Sequence, residues 1–326
     1  MIYSYINPFV GWLTRPMITD HIHIDTNGTR LTTNSSSSKS AKKIFMLGGS
    51  TLWGFNVSDQ ETIPSYVARE LNSVSSDFTV MNYSNPGYNS SQEVNYLIKK
   101  LKKGNIPNTV IFYDGCNDLQ VKTMYTVPQS VYHEQEIIDN IGNIWNFDRP
   151  NLDVNRSIFG IEFISNLHQF AFKYIKLYRY PNKIFNKILK RTAQPEQQIY
   201  THQFNPMDAE YISNLVAEEF LTNVALLDKL AQVYKFNYIL VWQPLIYNKE
   251  NKTTEETSVF NKYDKNFGQV YDLALKKIES KQSKYFYNLT TIFNSYTNSF
   301  FIDPCHVTGE GNEIIAKKIV ELIKSQ

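Results

Sequence analysis

The sequence predicts an α/β fold, a three-layer sandwich around a central parallel sheet of about five strands. Two observations carry this reading. Five short apolar runs rich in β-branched and aromatic residues punctuate the chain, and stretches with helical periodicity lie between them. Strands that alternate with helices need crossover connections, and crossovers imply parallel pairing.

Taken in order, residues 1 to 33 read as a small β-rich extension, with HIHID alternating and Asn27-Gly28 as a hairpin-turn signal. The run NSSSSKSAKK (34 to 43) is a polar, Ser-rich linker by composition. We therefore expect an N-terminal extension with linker over 1–40 and one catalytic-type domain over 41–326. The strand candidates are KIFMLG (43 to 48), FTVMNY (78 to 83), TVIFYD (109 to 114), NYILVW (237 to 242) and KYFYNL (284 to 289). Ser58 with Glu61, and Ser90 with Glu93, have the spacing of capping boxes ahead of apolar periodic runs. Longer helical patterns cover about 207 to 235, 260 to 281 and 310 to 325. The segment 119–205 is expected to be a helical insertion or lid.

Bulk properties exclude some classes. The 33 Lys plus Arg nearly balance 31 Asp plus Glu, so charge gives no argument for nucleic acid. No apolar run reaches the roughly 18 residues of a membrane span. Two cysteines, Cys116 and Cys305, cannot form a disulfide framework. The start MIYSYINPFVGWLTRP lacks a basic segment followed by an apolar stretch. The expectation is a cytoplasmic protein, or a periplasmic or membrane-anchored one if an N-terminal anchor precedes this sequence.

In open α/β sheets ligands bind beyond the carboxyl ends of the strands. The first strand candidate ends in Gly48-Gly49-Ser50-Thr51, which can expose a serine hydroxyl at the sheet rim. The second leads into Asn85-Pro86-Gly87-Tyr88, the third into Asp114-Gly115-Cys116-Asn117-Asp118, and the last is followed by Asp303-Pro304-Cys305-His306. Each type has a use in acyl transfer. Serine attacks if a base takes its proton, and His306 could do so with Asp303 fixing its tautomer. The N–H groups of Ser50 and Gly87 and the amide of Asn117 are suitable donors to an oxyanion. Trp53, Tyr88 and Asp118 are candidate pocket residues beside them.

In these four blocks the chain resembles the SGNH hydrolases, the GDSL-like serine esterases. GGST matches the first block with Ser50, NPGYNS supplies Gly87, GCND supplies Asn117, and DPCH supplies Asp303 and His306. The resemblance covers about 41 to 118 and 237 to 326. It implies a flavodoxin-like core, a Ser50–His306–Asp303 triad, an oxyanion hole of Ser50, Gly87 and Asn117, and no cofactor. It also implies a small acyl-ester substrate, with an acetylated glycan as one such class. Gly49 departs from the commoner Gly-Asp-Ser of that block.

Other readings are weaker. His21, His23, His133, His168 and His202 show no zinc-type spacing with Cys or carboxylates, so no metal is expected. Gly48-Gly49 lacks the rest of a dinucleotide fingerprint. Cys116 and Cys305 lie inside two of the blocks and read as packing thiols rather than a redox pair. Lys173, Lys176, Arg179, Lys183, Lys187, Lys190 and Arg191 give 173–191 a basic face, read as solvated rather than as a peripheral membrane contact. The functional alternatives are an O-acyltransferase with the same triad and a non-catalytic binding module. An added sugar acceptor separates the first from an esterase, and labelling of Ser50 by a fluorophosphonate excludes the second.

Overall fold

This computed structural model describes residues 3–74, 77–124, 129–132, 134, 206–281 and 284–326. Two short hairpins come first, β1 (Ser4–Asn7) with β2 (Gly11–Thr14) and β3 (Met17–Ile18) with β4 (His23–Ile24). Next come β5 (Lys42–Gly48), α1 (Ser50–Trp53), α2 (Ile63–Leu71), β6 (Phe78–Asn82), α3 (Ser90–Leu101), β7 (Thr109–Asp114) and α4 (Cys116–Thr123). After the undescribed stretch come α5 (Pro206–Tyr234), β8 (Asn237–Trp242), α6 (Thr254–Phe260), α7 (Asn266–Ser280), β9 (Phe286–Asn288) and α8 (Gly309–Lys324).

The sheet order is β6-β5-β7-β8-β9, with every neighbouring pair parallel. The chain steps from β5 outward to β6, then returns to the other side of β5 as β7. This reversal makes a topological switch point between β5 and β7, where such sheets open a crevice at their carboxyl edge.

Alternation along each strand divides the core into two layers. Phe45, Leu47, Val110, Phe112, Leu240 and Trp242 pack with residues of α3, α5 and α7 on one face. Ile44, Met46, Ile111, Tyr113, Ile239 and Val241 pack with α2 and α8 on the other. The two faces are buried by opposite helical layers, which explains why these strands read as continuous apolar runs.

The N-terminal segment differs from its sequence reading. SYIN and GWLT pair as β1 and β2, whereas only His23 and Ile24 of HIHID are strand. Asn27-Gly28 does form a turn: Gly28 has φ +77°, and its N–H donates to Asp25 O at 3.0 Å. Arg30 then bridges Ile24 and Asn82 in antiparallel fashion. The Ser-rich run does not stand apart from the sheet. Ser35 Oγ bonds both N and O of Val80, and Ser36 N–H donates to Phe78 O at 3.0 Å. These contacts occupy the outer edge of β6, which would otherwise present unpaired backbone groups.

Two helix starts also move. Ser58 and Glu61 do form their capping box, Ser58 N–H donating to Glu61 Oε2 at 3.1 Å, but it opens one turn of 3₁₀-helix (Asp59–Glu61), and Thr62 Oγ1 caps α2 by accepting from Ser65 N–H. Asn89, not Ser90, caps α3 through its bond from Gln92 N–H. Glu93 consequently points into the core instead of back at the cap. Residues 119 to 123 expected in the insertion finish α4; the helical insertion proper and the basic run 173–191 lie outside the described residues.

Candidate active site

Ser50 is the first residue of α1, two positions after the end of β5 at the switch point. Gly49 precedes it with ordinary dihedrals (φ −81°, ψ −155°), so conformation does not demand glycine there. Space does. A Cβ at 49 would lie 2.1 Å from Asn117 Nδ2 and 3.1 Å from Tyr88 O. The single-turn helix ends at Gly54, whose φ of +95° favours glycine. The N–H groups of Gly54 and Phe55 both donate to Ser50 O at 3.0 Å.

The partner of Ser50 comes from the far end of the chain. Phe301 and Val307 form an isolated antiparallel bridge, so Asp303 to His306 occupy the tip of a tight reversal just before α8. Asp303 Oδ1 accepts from the backbone N–H groups of Cys305 (3.0 Å) and His306 (2.8 Å). This local Asx-type turn leaves Oδ2 for the imidazole. Oδ2 lies 2.6 Å from His306 Nδ1, and His306 Nε2 lies 2.8 Å from Ser50 Oγ. With Nδ1 protonated toward the carboxylate, Nε2 presents a lone pair to the serine hydroxyl. Ser50, Asp303 and His306 are thus brought together from positions 256 residues apart in the chain.

The electrostatics follow from this contact. Burial favours the neutral imidazole, yet Cys305 and the bonded Asp303 carboxylate together raise the His306 pKa from 6.5 to about 10. The Cys305 part would need a thiolate. A hydrogen bond with Cys116 and burial hold Cys305 as a thiol well above its usual range, so at neutral pH Asp303 supplies the persistent attraction. Burial opposes the Asp303 charge, but His306 and the two backbone donors outweigh it and lower its pKa.

Asn117 sits in the first turn of α4, beyond β7 and across the switch point from Ser50. Its Nδ2 donates to Tyr88 O at 2.6 Å and lies against Gly49. An amide nitrogen carries two hydrogens, so one donor remains after that bond. Gly87, at φ +81°, precedes Tyr88 in the loop after β6. Asn85 N–H ties this loop to Gly48 O at 3.1 Å, while Trp12 and Tyr132 crowd Gly87 itself.

The three candidate pocket residues require correction. Trp53, Tyr88 and Asp118 are buried at 0, 1 and 5 % exposure and belong to the scaffold. Trp53 lies under the Arg30 guanidinium, 4.4 Å from its ring centroid. Tyr88 donates a hydrogen bond from its hydroxyl to Trp12 O and packs edge-on against Trp12 and Tyr96. Asp118 accepts from Gly115 N–H and from the N–H and hydroxyl of Ser90, bracing the turn that carries Asn117. Side chains adjacent in sequence to rim residues are here the ones that fasten the rim.

Sequence reading passed over three residues at the site. Trp12 donates from Nε1 to Pro86 O at 3.0 Å and so holds the Gly87 loop. Arg30 donates to Trp53 O, Gly54 O and Val57 O at the end of the nucleophile turn. Phe55 stands 4.9 Å from the His306 ring, centroid to centroid. An N-terminal segment with no obvious motif gave no signal that Trp12 or Arg30 would reach these loops. Cys305 also gathers with Asp303 and His306: their donor atoms lie within 4.8 Å of one another, a set a soft divalent cation could meet. In the geometry described, His306 Nδ1 is engaged by Asp303.

No family model and no curated protein sequence matches the chain. Solved structures do resemble it. The lipase/acylhydrolase from Enterococcus faecalis is 12 % identical, with TM-score 0.43 and coverage of 87 % of this chain and 96 % of its own. The acetylxylan esterase Axe2 from Geobacillus stearothermophilus is 13 % identical, with TM-score 0.39, covering 89 % and 95 %. The acetyl xylan esterase AlAXEase is 10 % identical, with TM-score 0.42, covering 86 % and 99 %.

Proposed function

We propose that the chain is a serine esterase that hydrolyses small acyl esters, acetyl esters of carbohydrates being the favoured class. The observation that carries this reading is the continuous bonding from Asp303 Oδ2 through His306 to Ser50 Oγ, at 2.6 and 2.8 Å. The carbohydrate preference follows from the resemblance of the four sequence blocks. No cofactor enters the mechanism.

In acylation, Ser50 Oγ attacks the ester carbonyl while its proton passes to His306 Nε2. The carbonyl oxygen becomes an oxyanion, which the N–H groups of Ser50 and Gly87 and the free amide hydrogen of Asn117 would stabilise. Collapse breaks the bond to the leaving alcohol, whose oxygen takes the proton from His306. Water then attacks the acyl-serine, giving its proton to His306. The resulting tetrahedral intermediate releases the acid and returns a proton to Ser50. Asp303 keeps Nδ1 protonated and steadies the transient imidazolium without accepting the proton.

The test is turnover of p-nitrophenyl esters of increasing acyl length, with and without an oligosaccharide acceptor. The proposal expects acetate to be the best substrate and water to suffice as acceptor. Product that forms only with the oligosaccharide would make the protein an O-acyltransferase. Absence of both activities would leave a binding module.

A further inference from the structure

One aromatic side chain at this site takes no part in acylation or deacylation. Phe55 is 38 % exposed, and its ring contacts the His306 imidazole at 4.9 Å with an interplanar angle of 43°. A solitary exposed phenylalanine needs no explanation in general. This one lies against the group that hands a proton to the leaving oxygen, so its position has chemical meaning.

Its backbone is also held rigidly. The N–H of Phe55 donates to Ser50 O, so Phe55 and the nucleophile share one hydrogen-bonded turn. From below, the Arg30 guanidinium donates from Nη1 to Trp53 O and Gly54 O and from Nη2 to Val57 O, on either side of Phe55. Arg30 is itself buried at 1 % exposure and paired with Asp59 at 2.8 Å. A buried guanidinium with four hydrogen bonds made fixes the carbonyls it reaches. The backbone that carries the ring is therefore fixed before a ligand arrives.

The two halves of an ester must lie on different sides of Ser50. The leaving alcohol has to reach His306, because that imidazole protonates it. The Asn117 amide and the Gly87 loop serve the carbonyl oxygen instead. A group packed on His306 and open to solvent therefore meets the alcohol half.

Resting on the esterase reading, we propose that Phe55 is a specificity-determining residue that stacks against the alcohol half of the substrate. The class it selects is the ring-shaped alcohol with a flat apolar C–H face, an acylated pyranoside. A methyl ester of the same acid is too small to use the ring.

The experiment compares methyl acetate with a methyl pyranoside carrying one O-acetyl group, in wild type, Phe55→Ala, Phe55→Leu and Phe55→Trp. Leucine preserves bulk beside His306 but removes the aromatic face, which guards against a folding defect. Loss of the aromatic contact should raise KM for the pyranoside ester about tenfold in the Ala and Leu variants. Their kcat, and their kcat/KM on methyl acetate, should stay near wild type, and Trp should restore the pyranoside KM. Equal losses on both esters would overturn the proposal by reducing Phe55 to a support for His306. No change on either ester would overturn it as well. Wild type that turns over neither ester and leaves Ser50 unlabelled by a fluorophosphonate would sink the esterase reading, and this proposal with it. Labelled, active wild type without the selective loss removes Phe55 alone.

Discussion

A Cβ on Gly49 would stand 2.1 Å from Nδ2 of Asn117. The glycine before the serine is thus matched to the asparagine from the neighbouring strand end, and the backbone of 49 and the amide of 117 occupy one space. Gly49→Ala should push the amide aside and lower kcat by about 10²–10³ with little change in KM, as should Asn117→Ala. The double variant should be scarcely worse than either single. Steady-state kinetics on a small acetate ester check this. Wild-type kcat in Gly49→Ala would separate Asn117 from the chemistry.

His306 must be neutral to accept the serine proton, and the bonded Asp303 carboxylate raises its pKa above the usual 6.5 while Cys305 stays a thiol. Activity should therefore be lost as pH falls through that raised value, with the acidic limb of kcat/KM above 6.5. Asp303→Asn removes the carboxylate attraction, so the limb of its residual activity should move down. A wild-type limb at or below 6.5, or one unmoved in Asp303→Asn, contradicts the assignment.

Glu93 and Asp114 are both buried, and among the described residues no donor reaches any of their four carboxyl oxygens. Carboxyl groups buried beside one another without a donor or a cation favour the protonated form. Burial, then the charges of Asp114 and Asp118, hold Glu93 well above its usual range; burial and Asp118 do the same for Asp114. Above the unfolded carboxyl values near ~4 the folded state keeps a proton that the unfolded chain has released. Stability then falls as pH rises toward the folded value. Glu93→Gln keeps a donor that does not titrate, so thermal unfolding should show a flatter pH dependence and a higher Tm at mildly alkaline pH. Identical curves for variant and wild type would mean the pair is not protonated.

The strand ends were legible in the sequence because β5, β7 and β8 are buried on both faces. Such strands read as unbroken apolar runs, and the residues just after each run sit at the rim. Asp303 and His306 were readable for a related reason: an Asx-type turn is local, so three-residue spacing carries its geometry. Arg30 was not legible, since a buried arginine depends on Asp59 and on carbonyls from a different segment. Glu93 misled because its spacing from Ser90 fits a capping box, whereas Asn89 takes the cap and turns Glu93 inward. Trp53, Tyr88 and Asp118 misled because adjacency to a rim residue says nothing about which side of a one-turn helix or loop a side chain takes.

Cys116 and Cys305 are buried thiols in contact, and Cys305 Sγ lies 3.6 Å from His306 Nδ1. A thiol held above its usual pKa is a poor nucleophile. Replacing both by Ala should leave esterase activity similar with and without reductant. Wild-type activity that falls on mild oxidation, with the double variant unaffected, would show instead that the pair responds to oxidants.

The central claim is that Ser50 is the nucleophile. Peptide mass spectrometry after treatment with a fluorophosphonate tests it most directly. One adduct is expected, on the peptide containing Ser50, formed in step with loss of esterase activity. Ser50→Ala and His306→Ala should take no label and lose about 10⁴ or more in turnover. An adduct on another residue, or esterase activity in Ser50→Ala within about tenfold of wild type, would contradict it.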